Sequence, residues 1–346
     1  MSMEGRKNSL SPIAIEFHFL LLRIANRCSI FSKVSITPKR KRTRMNRRQA
    51  IVTSSSLLAG VCLTPFAKSI APIKRVSAAP LKLSLAAYSM RKFLPDTRRN
   101  PSAQGKMDML GFIDYAANLD LDAVELTGYF MPYPLTDEAL NELKLRSHLL
   151  GLDISGGAIG NNFTNAPSSA AGREQLKDVR YWIDRYATLG APVIRVFGGK
   201  PAKGISESQA VENIIANMKI ACDYAGERGV ILGMENHDFL IDIDRMLPIV
   251  EAVDSPWFGV NFDSGNIAPT NDPYKELKRI APYSVNAQIK VEIPVNGKKV
   301  HANLDRIIGI LKDAKYRGYV VLEYEGSEDP KAAIPSYLSQ LRKLIA

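Results

Sequence analysis

Residues 206–238 read SESQAVENIIANMKIACDYAGERGVILGMENHD, and this stretch decides the fold. Its first part, Ser206–Arg228, has the pattern of an amphipathic helix. Gly229 follows at the position where a glycine commonly ends a helix. The apolar run Val230–Glu235 then predicts a short buried strand, and polar residues come directly after it. A helix that leads through a glycine into a buried strand indicates a repeated βα architecture.

The same alternation extends over the rest of the chain from residue 81. Eight apolar runs are predicted as strands: Leu81–Ser89, Ala123–Gly128, Leu152–Gly157, Val193–Gly198, Val230–Glu235, Phe258–Phe262, Val285–Lys290 and Tyr319–Tyr324. Six intervening stretches are predicted as helices: Met107–Asn118, Asp137–Leu150, Arg173–Leu189, Ser206–Arg228, Leu304–Lys315 and Tyr337–Ile345. Eight such units predict a single (β/α)₈ TIM barrel. The alternative, a doubly wound open sheet, would need a glycine-rich turn after the first strand, and Ser89–Phe93 lacks one.

Charge divides the chain into three segments. The 346 residues carry 46 Lys and Arg against 35 Asp and Glu, a formal net charge of +11. Residues 1–44 hold 10 basic and 2 acidic residues, residues 45–79 hold 5 and none, and residues 80–346 hold 31 and 33. The predicted barrel, residues 80–346, is therefore slightly acidic, which argues against a nucleic-acid partner. Cys222 is its single cysteine, so it forms no internal disulfide.

The basic leader is interpreted as a targeting region. Residues 45–48, MNRR, precede a short apolar stretch, and Ser77–Ala79 offers small residues for cleavage. Residues 45–79 thus resemble a bacterial twin-arginine export signal and predict a periplasmic protein. Residues 1–44 are interpreted as disordered upstream sequence or as the product of a misplaced start. The apolar stretch is too short for a membrane span. Alternatively, the leader is a disordered basic arm or a retained anchor.

Four consecutive predicted strands end in oxygen-bearing side chains. They are Glu235, Asp263, Gln288 and Glu323. Strand alternation places all four toward the barrel mouth, where TIM barrels build their sites. Three carboxylates gathered there would repel each other unless a cation intervened. Hard oxygen ligands favour Mg²⁺ or Mn²⁺ over Zn²⁺, so the pattern predicts a divalent-metal site. Alternatively, these residues bind loop amides at the barrel rim.

Four short stretches resemble the xylose isomerase-like barrel superfamily, which includes ketose 3-epimerases and hydroxypyruvate isomerase. They are DAVEL at 122–126, LGMENH at 232–237, GVNFDSGN at 259–266 and VLEYEG at 321–326, and the resemblance spans residues 81–345. It implies that Glu235, Asp263, Gln288 and Glu323 bind metal and that the two glutamates also move the proton. It also implies that His237 contacts substrate. Many members have histidine where Gln288 and Asn266 stand. This chain lacks both histidines, which weakens a zinc assignment.

The leading hypothesis is a metal-dependent isomerase or epimerase of a small sugar or hydroxy-keto acid. Glu235 and Glu323 would remove and return a proton next to a carbonyl. The remaining candidates are predicted to bind substrate: Glu125, Arg195, His237, Asn266 and Lys290. Three of them also have a purely structural interpretation. Arg195 and Lys290 could form ion pairs that stabilise the barrel, and His237 could be a histidine of the barrel rim.

Three other functions remain open at this stage. Proton abstraction beside a 3-keto group could expel a leaving group, which would make the protein a lyase or dehydratase of 3-keto-glycosides. A sugar-binding protein without turnover is a second alternative, although both glutamates are retained. A nuclease like endonuclease IV would need a histidine-rich zinc cluster, and residues 80–346 contain three histidines. A carbohydrate is the expected partner, and a homo-oligomer is possible.

Overall fold

The computed structural model describes residues 71–75, 77 and 80–346. The predicted upstream segment, residues 1–44, lies outside the described residues. The predicted export signal, residues 45–79, does so as well, apart from positions 71–75 and 77.

Eight parallel strands close into a barrel, as the sequence predicts. They are β1 (Lys82–Ala86), β2 (Ala123–Thr127), β3 (Asp153–Ala158), β4 (Val193–Val196), β5 (Ile231–Glu235), β6 (Phe258–Asp263), β7 (Ser284–Ile289) and β10 (Tyr319–Leu322). Their order around the barrel follows the chain, and β1 closes it by pairing with both β2 and β10. The carboxyl ends of all eight strands therefore meet at one mouth.

Eight α-helices alternate with these strands. They are α1 (Met109–Ala117), α2 (Asp137–Leu149), α3 (Ala170–Leu189), α4 (Glu207–Arg228), α5 (Ile243–Val253), α6 (Pro273–Ile280), α7 (Leu304–Asp313) and α8 (Pro330–Ile345). The six predicted helical segments are confirmed, with boundary shifts of up to three residues and one larger change. The last helix begins at Pro330 rather than Tyr337, because Asp329 caps it and a proline is well placed in a first helical turn. Among the described helices, none is long and apolar enough to cross a bilayer.

The stretch that decides the fold has well-defined helix boundaries. Ser206 caps α4 by accepting a hydrogen bond from the Gln209 backbone N–H, and the Gln209 side chain accepts one in return. At the other end Gly229 takes a left-handed conformation, with φ of 70°, and its N–H donates to the Ala225 and Gly226 carbonyls. These ends turn the chain directly from α4 into β5.

A close approach between α3 and β3 fixes one side of the barrel. The Tyr186 ring packs where Gly157 has no side chain, and a Cβ there would lie 2.0 Å from Tyr186 Cε1. The Tyr186 hydroxyl donates to the Leu126 carbonyl at 2.5 Å, which ties the helix to β2 as well. One tyrosine thus holds α3 against two strands.

A β-hairpin that the sequence analysis did not predict follows β7. Its strands are β8 (Glu292–Val295) and β9 (Lys298–His301), paired antiparallel. Asn296 and Gly297 connect them with φ of 48° and 75°, as in a type I′ turn. An Asn-Gly pair between two β-prone runs is the sequence signal that would have found it. The hairpin lies beside the barrel mouth, since it begins two residues after Lys290.

The opposite end of the barrel is partly covered by residues that precede β1. The Ile73 N–H donates to the Pro282 carbonyl at 3.1 Å. The Arg75 guanidinium donates to the Ser284 carbonyl at 2.5 Å and packs over the Tyr316 ring, 5.6 Å from its centroid. This short segment therefore contacts the amino-terminal end of β7.

Candidate functional site

A cavity of about 580 Å³ opens at the carboxyl ends of the strands. Its wall is polar and aromatic, with four acidic and four basic side chains. The lining residues are Tyr88, Asp96, Arg98, Arg99, Tyr129, Arg195, Phe197, Glu235, His237, Asn266, Lys290, Glu323 and Glu325. Six of the nine predicted site residues are among them. The other three, Glu125, Asp263 and Gln288, are fully buried beneath the cavity.

Glu235, the last residue of β5, is held by two neighbours. Its Oε2 lies 2.9 Å from Arg195 Nε on β4, and both side chains are 4% exposed. Its Oε1 accepts a hydrogen bond from Asn266 Nδ2 at 2.8 Å. Arg195 is fixed in turn by the Ile159 carbonyl at 2.6 Å and by the Phe197 ring. The carboxylate therefore has a defined orientation at the cavity wall.

Lys290 joins the carboxylates of the other strands. Its Nζ lies 2.8 Å from Glu323 Oε2, 3.1 Å from Glu325 Oε1 and 3.3 Å from Asp263 Oδ2. Burial alone would lower the pKa of Lys290, but these carboxylates raise it well above its ordinary value. The ammonium therefore stays charged and stands among the predicted metal ligands.

Asp263, at the end of β6, keeps one oxygen without a hydrogen bond. Its Oδ1 accepts from the backbone N–H groups of Gly265 and Asn266, at 2.8 and 3.1 Å. Its Oδ2 is buried and, within the described part of the chain, accepts no hydrogen bond, although Lys290 is near enough for an ion pair. A buried, incompletely satisfied carboxylate oxygen is costly in a folded protein. Burial raises the pKa of Asp263, and Glu235 and Glu323 add to the effect.

A closed ring of four side chains forms the floor under the cavity. Gln288 Nε2 donates to Glu125 Oε1 at 2.6 Å, and Asn286 Nδ2 donates to Glu125 Oε2 at 2.8 Å. Asn286 also donates to Asn261 Oδ1 at 2.8 Å, and Asn261 Nδ2 donates to Gln288 Oε1 at 2.6 Å. We call this set the floor ring. Glu125 has no exposed surface and lies beneath the cavity, so its predicted contact with substrate stays a prediction.

Burial raises the pKa of two glutamates at the site, Glu235 and Glu125. Burial raises the pKa of Glu235 to about 7, with Arg195 opposing and Glu323 reinforcing the rise. Burial likewise raises the pKa of Glu125 to about 7, and its amide partners limit that rise. A carboxylate with a pKa near neutrality suits a group that takes and returns a proton.

His237 lies at the rim, two residues after β5. Its ring packs against Phe197, with centroids 4.6 Å apart, and Nδ1 is 3.2 Å from Asp238 Oδ2. Burial lowers the pKa of His237 although Asp238 opposes the change. The imidazole therefore favours its neutral form and can exchange hydrogen bonds with a hydroxyl group.

The donor set at the mouth fits a hard divalent cation in charge and chemistry. The carboxyl groups of Glu235, Asp263, Glu323 and Glu325 outnumber the two cationic side chains beside them, Arg195 and Lys290. Asp263 Oδ2 is the buried oxygen that a cation would satisfy. In the part of the chain that the structure describes, no three acidic, histidine or cysteine groups are already gathered for a metal. Lys290 stands between them, so metal binding requires its ammonium to move.

The family comparison matches this architecture. The model for the xylose isomerase-like TIM barrel family matches residues 113–344. This chain belongs to that family. No curated protein sequence matches it.

Solved structures with the same fold are distant in sequence. A D-psicose 3-epimerase crystallised with D-fructose is 15% identical with a TM-score of 0.62, over 77% of this chain and 99% of the other. The 3-keto-D-glucoside 4-epimerase YcjR from E. coli is 16% identical with a TM-score of 0.58, over 76% and 99%. The IOLI protein, solved with a zinc atom, is 16% identical with a TM-score of 0.60, over 77% and 98%. At such identities the similarity establishes the fold.

Several lining residues were not found from the sequence. Arg98, Tyr129 and Phe197 reach the cavity from βα loops, where no periodic pattern marks which side chains turn inward. Glu325 shares its strand face with Glu323, which is a usable signal. Arg98, Tyr129 and Phe197 thus add basic and aromatic side chains to the cavity wall, and Glu325 adds an acidic one.

Proposed function

We propose that this protein is an isomerase or epimerase that removes a proton from the carbon next to a carbonyl in a small sugar or hydroxy-keto compound. The supporting observation is the pair Glu235 and Glu323, two buried carboxylates that line one cavity. The pKa of Glu235 near 7 suits a carboxylate that must both accept and donate a proton. The epimerases named above share the fold and are consistent with this chemistry.

The side chains divide the work according to their positions. A carboxylate oxygen of Glu235 or Glu323 takes the proton, and the same or the opposite carboxylate returns it. Arg195 forms an ion pair with Glu235, so this acid keeps its orientation during the transfer. His237 and Asn266 line the cavity and orient the hydroxyl groups of the substrate.

A divalent cation, Mg²⁺ or Mn²⁺ in preference to Zn²⁺, is part of the proposal. Glu235, Asp263 and Glu323 would hold it, with the Gln288 carbonyl oxygen if the floor ring yields. When bound, it would supply positive charge to the oxygens of the deprotonated substrate. The protein named IOLI contains zinc, but the donor set of this chain is all oxygen, which favours the harder ions.

Proton exchange in D₂O tests the reaction. The metal-loaded protein is incubated with ketoses and with 3-keto-glycosides, and carbon-bound protons are followed by NMR. Deuterium incorporation without elimination is the expected result, and Glu323→Gln should abolish it. Elimination products would instead assign a lyase of 3-keto-glycosides, and sugar binding without exchange would leave a binding protein. An undiminished rate in Glu323→Gln would refute the assigned role of this residue.

We also propose that residues 45–79 direct export to the bacterial periplasm, on the sequence pattern alone. Amino-terminal sequencing of the protein recovered from the periplasm tests this. A mature chain that begins at Pro80 supports the proposal, whereas a cytoplasmic chain with an intact leader contradicts it.

A further inference from the structure

Arg98 lies on the loop between β1 and α1 and is held in place at the outer wall of the cavity. Its guanidinium donates to the Gly160 carbonyl at 3.1 Å and stacks on the Tyr129 ring, 5.2 Å from the centroid. Gly160 makes room for it, since a Cβ there would lie 1.7 Å from Arg98 Nη1. The Arg98 backbone N–H also donates to the Tyr129 carbonyl. The side chain is exposed, yet its position is fixed by three contacts.

Arg98 makes no direct ion pair. Among the described residues no carboxylate lies within ion-pair distance of its guanidinium, in contrast to Arg195 and Lys290. Asp178 is the nearby acid, and the charge of Arg98 opposes the rise that burial causes in the pKa of that carboxyl. The adjacent Arg99 also lines the cavity, but it pairs with Asp96 at 3.4 Å and its side chain is 87% exposed. A guanidinium has five N–H donors in a planar fork that matches carboxylate and phosphate oxygens. Arg98 therefore presents a preorganised guanidinium to the cavity, with no acid in direct ion-pair contact.

Tyr129 connects Arg98 to the reactive half of the site. The Arg195 guanidinium lies 5.8 Å from the centroid of the same ring, and its two Nη atoms lie 3.3 Å from the Tyr129 hydroxyl. Arg195 in turn contacts Glu235. A small substrate whose reacting carbon lies at Glu235 could therefore extend past Tyr129 to Arg98.

We propose that Arg98 and Tyr129 form a subsite for an anionic oxygen group, a carboxylate or a phosphate, on the carbohydrate substrate. The inference rests on the proposed function and narrows its substrate to acidic or phosphorylated sugars. The Tyr129 ring packs against the sugar next to that group, and Arg98 binds the group with charge-assisted hydrogen bonds. Arg98 is thus a specificity-determining residue, and it takes no part in the proton transfer.

Binding of three matched sugars tests the subsite. D-glucose, D-glucuronate and D-glucose 6-phosphate are titrated calorimetrically into the full chain in the presence of Mn²⁺. The wild-type protein is expected to bind at least one anionic sugar roughly tenfold or more tightly than glucose. The glucuronate and phosphate arms distinguish the two anion types. Arg98→Gln should abolish the preference, and Arg99→Gln, which changes the neighbouring charge, should retain it.

Two results would overturn the proposal. One is equal affinity for glucose and for both anionic sugars. The other is an equal loss of the anion preference in Arg98→Gln and Arg99→Gln, which would indicate non-specific electrostatic attraction instead of a defined subsite. Because binding is measured without turnover, failure here differs from failure of the proposed function. The latter would appear as absent deuterium exchange with the anion preference intact.

Discussion

Lys290 is the residue that most affects how the carboxylates behave. Its ammonium binds Glu323 and Asp263, two predicted metal ligands, and Glu325, which is not one. A metal ion and this ammonium therefore compete for the same oxygens. Glu325 is a partner that Lys290 can keep when the other two are taken, since its side chain is 31% exposed at the rim.

Replacing Lys290 should strengthen divalent-metal binding. Lys290→Met removes the competing charge, so the dissociation constant for Mn²⁺ is expected to fall by roughly tenfold or more, because a like charge close to a buried cation is strongly unfavourable. Electron paramagnetic resonance of free Mn²⁺ measures it. Lys219→Met, on the exposed face of α4, is the control and should change the affinity little. Unchanged or weaker binding in Lys290→Met would show that the ammonium does not compete.

Glu125 should make stability depend on pH. The pKa of its buried carboxyl is about 7 against an ordinary 4.5, so the folded state holds a proton that the unfolded chain releases. The contribution of Glu125 to the stability of the wild type therefore falls as pH rises from 4.5 to 7. Gln at position 125 does not titrate. The free energy of unfolding of Glu125→Gln, relative to that of the wild type, should therefore increase across this range by up to about 3 kcal/mol, in addition to any constant difference between the two proteins.

Urea unfolding at pH 5 and pH 8 measures this trend. Glu142→Gln, on the exposed face of α2, serves as the control and should track the wild type. A difference between Glu125→Gln and the wild type that stays constant with pH would contradict the prediction.

Two glycines should respond in opposite ways to substitution by alanine, because one lies in a tightly packed contact and the other does not. At Gly157 a methyl group would meet the Tyr186 ring at 2.0 Å, whereas at Gly309 on α7 nothing lies within 4 Å. Gly157→Ala should destabilise the protein by about 1–3 kcal/mol through overpacking of α3 on β3. Gly309→Ala should stabilise it by up to about 1 kcal/mol through helix propensity. Denaturant unfolding of both variants checks the pair, and equal effects would refute the packing argument.

The elements themselves were largely predictable, because strand and helix patterns are local. All eight barrel strands and the four strand-end oxygen donors follow from the sequence. The helices α5 and α6 were not among the predicted segments, since α5 contains Pro248 and α6 has only eight residues. The floor ring and the position of Lys290 could not be predicted, because they depend on the register that sets Asp263 beside Gln288 and on side-chain conformers. The position of Arg98 could not be predicted either, because it depends on the conformation of the loop between β1 and α1.

On the scale of the whole molecule, charged residues are distributed unevenly along the chain and between the two ends of the barrel. The excess positive charge lies in residues 1–79, while the barrel is slightly acidic and has four acidic and four basic side chains at its mouth. The far end depends on Arg75, which joins the chain before β1 to the start of β7.

Arg75 should therefore contribute to the stability of the entire barrel. Arg75→Ala removes a charged hydrogen bond to the Ser284 carbonyl and the contact with Tyr316, and should cost about 1–2 kcal/mol. Thermal unfolding of the full chain measures the loss. Lys74→Ala, at an exposed neighbouring position, is the matched control. Equal melting temperatures for the two variants would show that the segment does not stabilise the barrel.

The floor ring has a consequence for the evolution of the site. Each of its amide groups donates in a fixed direction, so Gln288 cannot turn without reversing Asn261 and Asn286. An imidazole at position 288 could not both donate to Glu125 and accept from Asn261 in the same geometry. Exchange of glutamine for histidine should therefore be accompanied by substitutions at positions 125 and 261, and these positions should covary among related barrels.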